Sequence, residues 1–386
     1  MLGLYSEPIF AKPIEMKFVF FCYLLLCSVS GFTQSCSETE NIIVITTDGF
    51  RWQEVFTGAD PGLMHDPRFV QDTALISQMY GDSTPELRRQ KLMPFLWNTI
   101  AHQGQLYGNR RYQNKIDVSN IYKISYPGYN EMFTGYPDPV FIPNIPLRNP
   151  NENVFEFLNH KKEFAGKVAA FSSWNIFSAI LNRKRNKLPV NSGYESLPDD
   201  SSVNNEIINA TQESILHQKN TRFDLLTFLG AREYMEHNHP RVMLIGFGET
   251  DEFAHSGRYD LYLQQAANVD RMIADLWYYV QTDSIYRNKT TILITTDHGR
   301  GRKQDTWYKH GILTKGSGET WFALMGPGIS AQGEIKTAGQ YYQKQMATTI
   351  AGLVGEQFET PVNKSAAILI PTTVAYKLAF TKAPDY

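Results

Sequence analysis

Thr290-Thr-Ile-Leu-Ile-Thr-Thr-Asp-His-Gly299 decides how this chain is read. Its first six residues, rich in Thr and Ile, predict a buried strand bounded by polar punctuation. The run ends in Asp297-His298-Gly299. In an open parallel sheet, ligands bind outside the carboxyl ends of the strands. A carboxylate beside an imidazole at such an end suits a metal ion. Taken alone, the pair fits a polar turn equally well. Recurrence favours the metal reading, because apolar strands run into an aspartate elsewhere in the sequence.

One of these is Asn41-Ile-Ile-Val-Ile-Thr-Thr-Asp48, followed by Gly49. Another is Arg241-Val-Met-Leu-Ile-Gly-Phe-Gly248, which leads into Glu249-Thr250-Asp251. Gly166-Lys-Val-Ala-Ala-Phe-Ser-Ser173 and Thr320-Trp-Phe-Ala-Leu-Met325 read as further buried strands. Helices are expected over 91–103, 131–134, 154–160 and 222–237. Val269, Met272, Ile273, Leu276 and Val280 recur at helical spacing and give one apolar stripe. Strands alternating with helices predict an α/β, doubly wound, mostly parallel sheet with helices on both faces. Pro127-Gly128 reads as a sharp turn. Residues 182–220 are polar, contain Pro189, Gly193 and Pro198, and carry Arg183-Lys184-Arg185, so they read as a small insertion or lid.

The chain has 386 residues, 42% hydrophobic and 20% charged, with a net charge of −2. This is ordinary globular composition, long enough for a large core and without the charge footprint of nucleic-acid binding. Met16-Lys17 precedes an apolar run, Phe18-Val-Phe-Phe-Cys-Tyr-Leu-Leu-Leu26, and then small and polar residues to Ser35. That pattern reads as a secretory signal over 1–35, with translation starting at Met16 as one reading. The apolar run is short for a membrane span, and no span is expected in the mature chain. A periplasmic or secreted location follows. Cys36, the one cysteine outside the signal, cannot form an internal disulfide alone and raises a lipoprotein as the alternative. The expected catalytic domain covers 37–380.

The chemistry-bearing set is three aspartates and three histidines: Asp48, Asp251, Asp297, His255, His298 and His310. Mixed oxygen and nitrogen donors suit zinc and also accommodate manganese. Asp251 and His255, four residues apart, share one side of a helical turn. Six donors exceed the need of one tetrahedral ion and suit two divalent ions. Such a pair, about 3.5–4 Å apart, can stabilise the attacking and leaving oxygens of an in-line displacement. Ser125, just before Pro127-Gly128, is the candidate nucleophile and a candidate metal ligand, since a dication lowers the pKa of a coordinated oxygen. It also fits a plain helix-capping hydroxyl. Two dications, three carboxylates and an alkoxide sum to zero charge, so an anionic ester can approach. Arg51, Arg300, Arg302 and Lys309 are candidates to steady a phosphate. Trp52, Trp174 and Trp307 are candidates to stack on a leaving group, with loop packing as the alternative.

The order Asp48-Gly-Phe-Arg, Ser125-Tyr-Pro-Gly, Thr134-Gly135, Asp251-x-x-x-His255, Asp297-His298-Gly299, His310-Gly311 and Gly326-Pro-Gly328 resembles the alkaline phosphatase superfamily. Within it, the chain most resembles the type I phosphodiesterase/nucleotide pyrophosphatase branch and its bacterial relatives. The resemblance implies that Asp251, His255 and His310 hold one zinc and that Asp48, Asp297 and His298 hold the other. Ser125 would then form a covalent phospho-enzyme on a small-molecule phosphate ester. The branch usually places Asn directly after the Pro of this motif, where Gly128 stands. Asn130, two residues on, is the candidate to replace it in substrate binding. The sulfatase motif C/S-x-P-x-R lacks its Arg here, because Tyr129 occupies that position. The alternatives carried forward are an alkaline phosphomonoesterase and a non-catalytic metal-containing binding protein.

Overall fold

The structure, a computed structural model, describes residues 38–140, 143–198 and 202–372. The signal region, Cys36 and the end of the expected 37–380 domain lie outside the described residues. The strands in chain order are β1 (Asn41–Thr47), β2 (Gln105–Tyr107), β3 (Asn114–Asp117), β4 (Val168–Ser172), β5 (Val190–Ser192), β6 (Val242–Phe247), β7 (Thr290–Thr295), β8 (Glu319–Thr320), β9 (Phe322–Met325), β10 (Gly333–Glu334) and β11 (Gly339–Tyr342). The helices that shape the site are α1 (Ser125–Thr134), α2 (Val154–His160), α3 (Val203–Glu213), α4 (Asp224–Asn238), α5 (Glu249–His255), α6 (Tyr259–Thr282) and α7 (Met346–Leu353).

Eight strands form one sheet in the order β10-β2-β9-β7-β1-β6-β4-β5, and β11-β3-β8 form a small second sheet. In the large sheet only β9 runs against its neighbours β7 and β2. β1 lies between β6 and β7, parallel to both. Its side chains alternate between two cores. Ile43 and Ile45 pack with Ile273 and Leu276 of α6, while Ile42 and Val44 pack with Met132 and Phe133 of α1. A strand buried on both faces is apolar throughout, as a central parallel strand must be. Burial of each such side chain contributes about 1.5–3 kcal/mol. The α6 stripe Val269, Met272, Ile273, Leu276 and Val280 is buried, as its spacing predicts.

Four local expectations change. The helix expected over 91–103 is interrupted: one helix ends at Leu92, and a π-turn begins at Leu96. The break is at Met93, because Pro94 disfavours the α conformation in the residue before it and opens the next helical stretch itself. Pro127-Gly128 is not a turn but part of the first turn of α1, where a proline loses no helical hydrogen bond. The helix expected over 131–134 is therefore the end of a longer one. Asp251 is not at a strand end, because α5 starts two residues earlier at Glu249. The 182–220 segment, read as a small insertion or lid, contains β5, which pairs with β4 at the sheet edge, and α3, which packs on α4.

Candidate two-metal active site

β1, β6 and β7 are neighbours and parallel, so the segments that leave their carboxyl ends emerge together. Asp48 follows β1 directly. Asp297 and His298 follow β7 after Thr296. β6 leads into α5, whose first and last turns carry Asp251 and His255, with His255 Nε2 3.0 Å from Asp251 Oδ2. His310 comes from the loop after β7, with its Nε2 3.0 Å from His255 Nε2. The ligand atoms form two groups, Asp251/His255/His310 and Asp48/Asp297/His298, each within 4.8 Å. The groups adjoin: the His298 and His310 rings stack with centroids 4.0 Å apart, and His298 Nε2 is 3.9 Å from Asp251 Oδ1.

Close backbone approach makes this convergence possible. Gly49 has φ +59°, and a Cβ there would fall 2.8 Å from Asp251 Oδ1. Its N–H donates to Asp297 Oδ1 at 2.9 Å. A Cβ on Gly128 would fall 2.6 Å from the Asp297 carbonyl oxygen. The Asn usual in the resembled branch therefore has no room at this position.

The donor set fits cations. Asp297 Oδ2 is buried without a hydrogen-bond partner and lies 3.4 Å from His298 Nε2. Burial, reinforced by the Asp297 charge, pushes the Asp48 carboxyl up to about 8. Burial pushes Asp297 up to about 7. Burial also lowers His298, and it holds His310 well below the ordinary imidazole range with help from His298, Arg300 and His255. Carboxylates that lack a counter-charge, next to imidazoles that resist protonation, are what a pair of bound dications would satisfy. The outer ring nitrogens are already committed. His298 Nδ1 is 3.0 Å from Gly299 O, and His310 Nδ1 is 3.4 Å from Lys123 O. Both arrangements leave Nε2 facing the donor cluster.

Ser125 is the first residue of α1. Its Oγ is 3.3 Å from His298 Nε2 and 3.5 Å from Asp48 Oδ1. The remaining sequence candidates are placed differently. Asn130 Nδ2 donates to Tyr136 O, and its Oδ1 accepts from Asn149 and Asn151, so its side chain anchors the strap after α1. Arg51 is buried against Glu54 and donates to Gly301 O. Arg300 is buried and pairs with Asp251, and it also donates to Gly49 O and Tyr308 O. Arg302 pairs with Glu319, which also accepts from Trp52 Nε1. Trp307 is in the core against Tyr259 and Tyr262, while Trp174 stays half-buried beside Tyr129.

Sequence reasoning missed two residues. Tyr129 OH donates to Asp48 Oδ2 at 3.1 Å from the second turn of α1. Asn144, exposed on the strap, accepts the Tyr126 N–H at 2.9 Å, which puts its amide at the N-terminus of α1 beside Ser125. Tyr129 lies in the motif itself, four residues after Ser125. No signal in the sequence marked Asn144, whose position depends on the path of a loop.

The structure is similar to the alkaline phosphatase PafA, with a TM-score of 0.56 and 10% identity, over 86% of this chain and 98% of that one. The chain has the fold of the alkaline phosphatase superfamily. The same alkaline phosphatase-like fold relates it to the lipoteichoic acid synthase LtaP from Listeria monocytogenes (TM-score 0.55, 10% identity, 86% and 76% of the two chains). It is also similar to the 2-O GAG sulfatase BT1596 (TM-score 0.54, 11% identity, 86% and 73%). No family model matches the sequence, and no curated protein matches it.

Proposed function

We propose that the chain is an exported, two-metal phosphoric ester hydrolase that works through a phosphoserine at Ser125, and that phosphodiesters are its preferred class. The observation that carries this reading is the position of Ser125 Oγ at the N-terminus of α1, 3.3 Å from His298 Nε2 and 3.5 Å from Asp48 Oδ1, in the donor group that adjoins the other through His298. The similar fold of an alkaline phosphatase supports the hydrolase class, and the signal-like stretch before Ser35 supports export. No helix among the described residues is long and apolar enough to cross a membrane.

Divalent ions held by Asp251/His255/His310 and by Asp48/Asp297/His298, zinc by the donor chemistry, would supply Lewis-acid stabilisation of the developing oxyanions. Ser125 Oγ attacks phosphorus as its proton passes to solvent water, which in turn protonates the departing oxygen. The Oγ–P bond forms as the bond to the leaving oxygen breaks. Water then attacks the phosphoserine, the Oγ–P bond breaks, and Oγ regains a proton. Two in-line displacements give net retention at phosphorus. A non-bridging oxygen would take the Tyr126 N–H that Asn144 Oδ1 now accepts, and Asn144 Nδ2 would add a second donor. Tyr129 holds Asp48, and Arg300 holds Asp251.

The engagement of Arg51 and Arg300 favours the diester. A monoester dianion presents an additional charged oxygen, and both arginines expected to grip it are occupied by Glu54 and Asp251. The test pairs a diester and a monoester that share one nitrophenol leaving group. The expected kcat/KM ratio exceeds one. A ratio well below one makes the protein a phosphomonoesterase, and metal binding without turnover of either makes it a binding protein. Ser125→Ala should abolish turnover while the chain keeps two ions, and substantial activity in that variant would sink the nucleophile assignment.

A further inference from the structure

Three loops border Ser125, and their composition is unusual for a soluble surface. They are the approach to α1 (121–123), the strap (143–149) and the turn around His310 (309–315). They touch one another through the site. A Cβ on Gly311 would lie 3.9 Å from Tyr122 O, and the strap is tied to α1 directly after 121–124 by the Tyr126 N–H and OH, which donate to Asn144 Oδ1 and Leu147 O. Each loop turns apolar side chains outward: Ile121 is 58% exposed, Ile145 45%, Leu147 51%, Ile312 59% and Leu313 94%. Single exposed leucines are ordinary, but a ring of five around a catalytic centre marks a contact surface.

The same loops carry Lys123, Arg148, Lys309 and Lys315 and contain no Asp or Glu. None of these four cations forms an ion pair among the described residues. Asp138, which precedes the strap in sequence, accepts from the Val140 N–H and Asn151 Nδ2. Apolar tips interleaved with unpaired cations match an anionic bilayer, where the tips enter the headgroup boundary and the cations meet lipid phosphates. A second copy of the chain is a poor match, because two such rims would oppose like charges.

We propose that this rim seats on an anionic phospholipid surface and that the ester delivered to Ser125 is carried on the lipid. The second half rests on the hydrolase reading above; the seating does not.

The experiment is co-sedimentation of the zinc-loaded full chain with vesicles rich in phosphatidylglycerol, compared with phosphatidylcholine alone. The expected result is partition onto the anionic vesicles, weakened by salt. Ile312→Ser/Leu313→Ser should lower that partition about tenfold or more. The same variant should keep kcat/KM on the soluble nitrophenyl diester within about twofold, because neither residue touches the donor groups. Failure of the wild-type chain to sediment, or equal sedimentation of the variant, overturns the proposal. So does self-association that the variant abolishes. Vesicle binding requires no turnover, so it can fail while the soluble ester is still hydrolysed, and the reverse also holds. Release of a headgroup from the vesicle lipid is the expected sign of the lipid-borne ester.

Discussion

The two donor groups are chemically alike and physically different. Asp48, Asp297 and His298 are sealed, with side chains 6%, 0% and 0% exposed. They sit where β1 and β7 end side by side. Asp251, His255 and His310 are held by a seven-residue helix and a loop, and His255 is 53% exposed. The sealed group is fixed by sheet pairing and backbone contact. The open group depends on elements that can adjust by small amounts. An ion in the sealed group should therefore exchange slowly and tolerate no ligand loss, while an ion in the open group should exchange with solvent and be recoverable by mass action.

The strongest test of this contrast is Asp297→Asn. It removes a buried charge from the sealed group and should lower kcat/KM by about 10³ or more, with no recovery in excess zinc. Next is Asn144→Ala, which removes a donor at the α1 N-terminus without touching either group. A loss of about 10²-fold in kcat with metal content unchanged is expected, and a lost ion instead would mean that Asn144 acts through the centre. His255→Ala should weaken the open group so that one ion leaves on dialysis and activity returns as zinc is added. If it proves as irrecoverable as Asp297→Asn, the contrast between the groups fails. Tyr129→Phe, which frees one oxygen of Asp48, should cost about 10-fold in activity or affinity.

The smallest effect lies outside the centre and serves as a control. Asp270 on α6 accepts the Phe95 and Leu96 N–H groups, and burial pushes it up to about 7. An unfolded Asp titrates near 3.9, so the folded chain binds this proton more tightly. Stability from it is present at low pH and is lost as pH rises through about 7. The melting temperature of chelated protein should fall by a few degrees across that window. Asp270→Asn should lower stability overall and flatten the slope. An unchanged slope would assign the dependence to other groups.

The legible parts of the sequence were those set by short-range pattern. Runs such as Ile42-Ile-Val-Ile45 are apolar on both faces and can only be central strands, so the α/β fold followed. The α6 stripe was equally readable from its spacing. Five of the six donor candidates sit within a few residues of a strand end or on one helical turn; His310 lies on the long loop between β7 and β8, and the sequence marked it only through the His310-Gly311 motif. What stayed hidden depends on how distant segments meet. Pro127-Gly128 has turn chemistry, yet Ile124 leaves a β conformation straight into α1, where the proline loses nothing. Arg51 and Arg300 follow the motifs and look like phosphate grips, but burial forces each onto an acid, Glu54 or Asp251. Asn130, expected at the substrate, instead anchors the strap, and Asn144 comes to the N-terminus of α1 because the strap folds back over that helix, which no periodicity encodes.

The contact between Gly128 and Asp297 has an engineering consequence. Gln343 Nε2 donates to both carbonyls, at 2.9 Å and 2.7 Å, and clamps the two backbones together. The hydroxyl of Ser125 and the carboxylate of Asp297 are thus indexed to each other through main chain, as two teeth cut on one gear. Side chains around the mouth can be exchanged freely without disturbing that alignment. An asparagine grafted at position 128 would instead act as a wedge, separating the attacking group from the charge it needs.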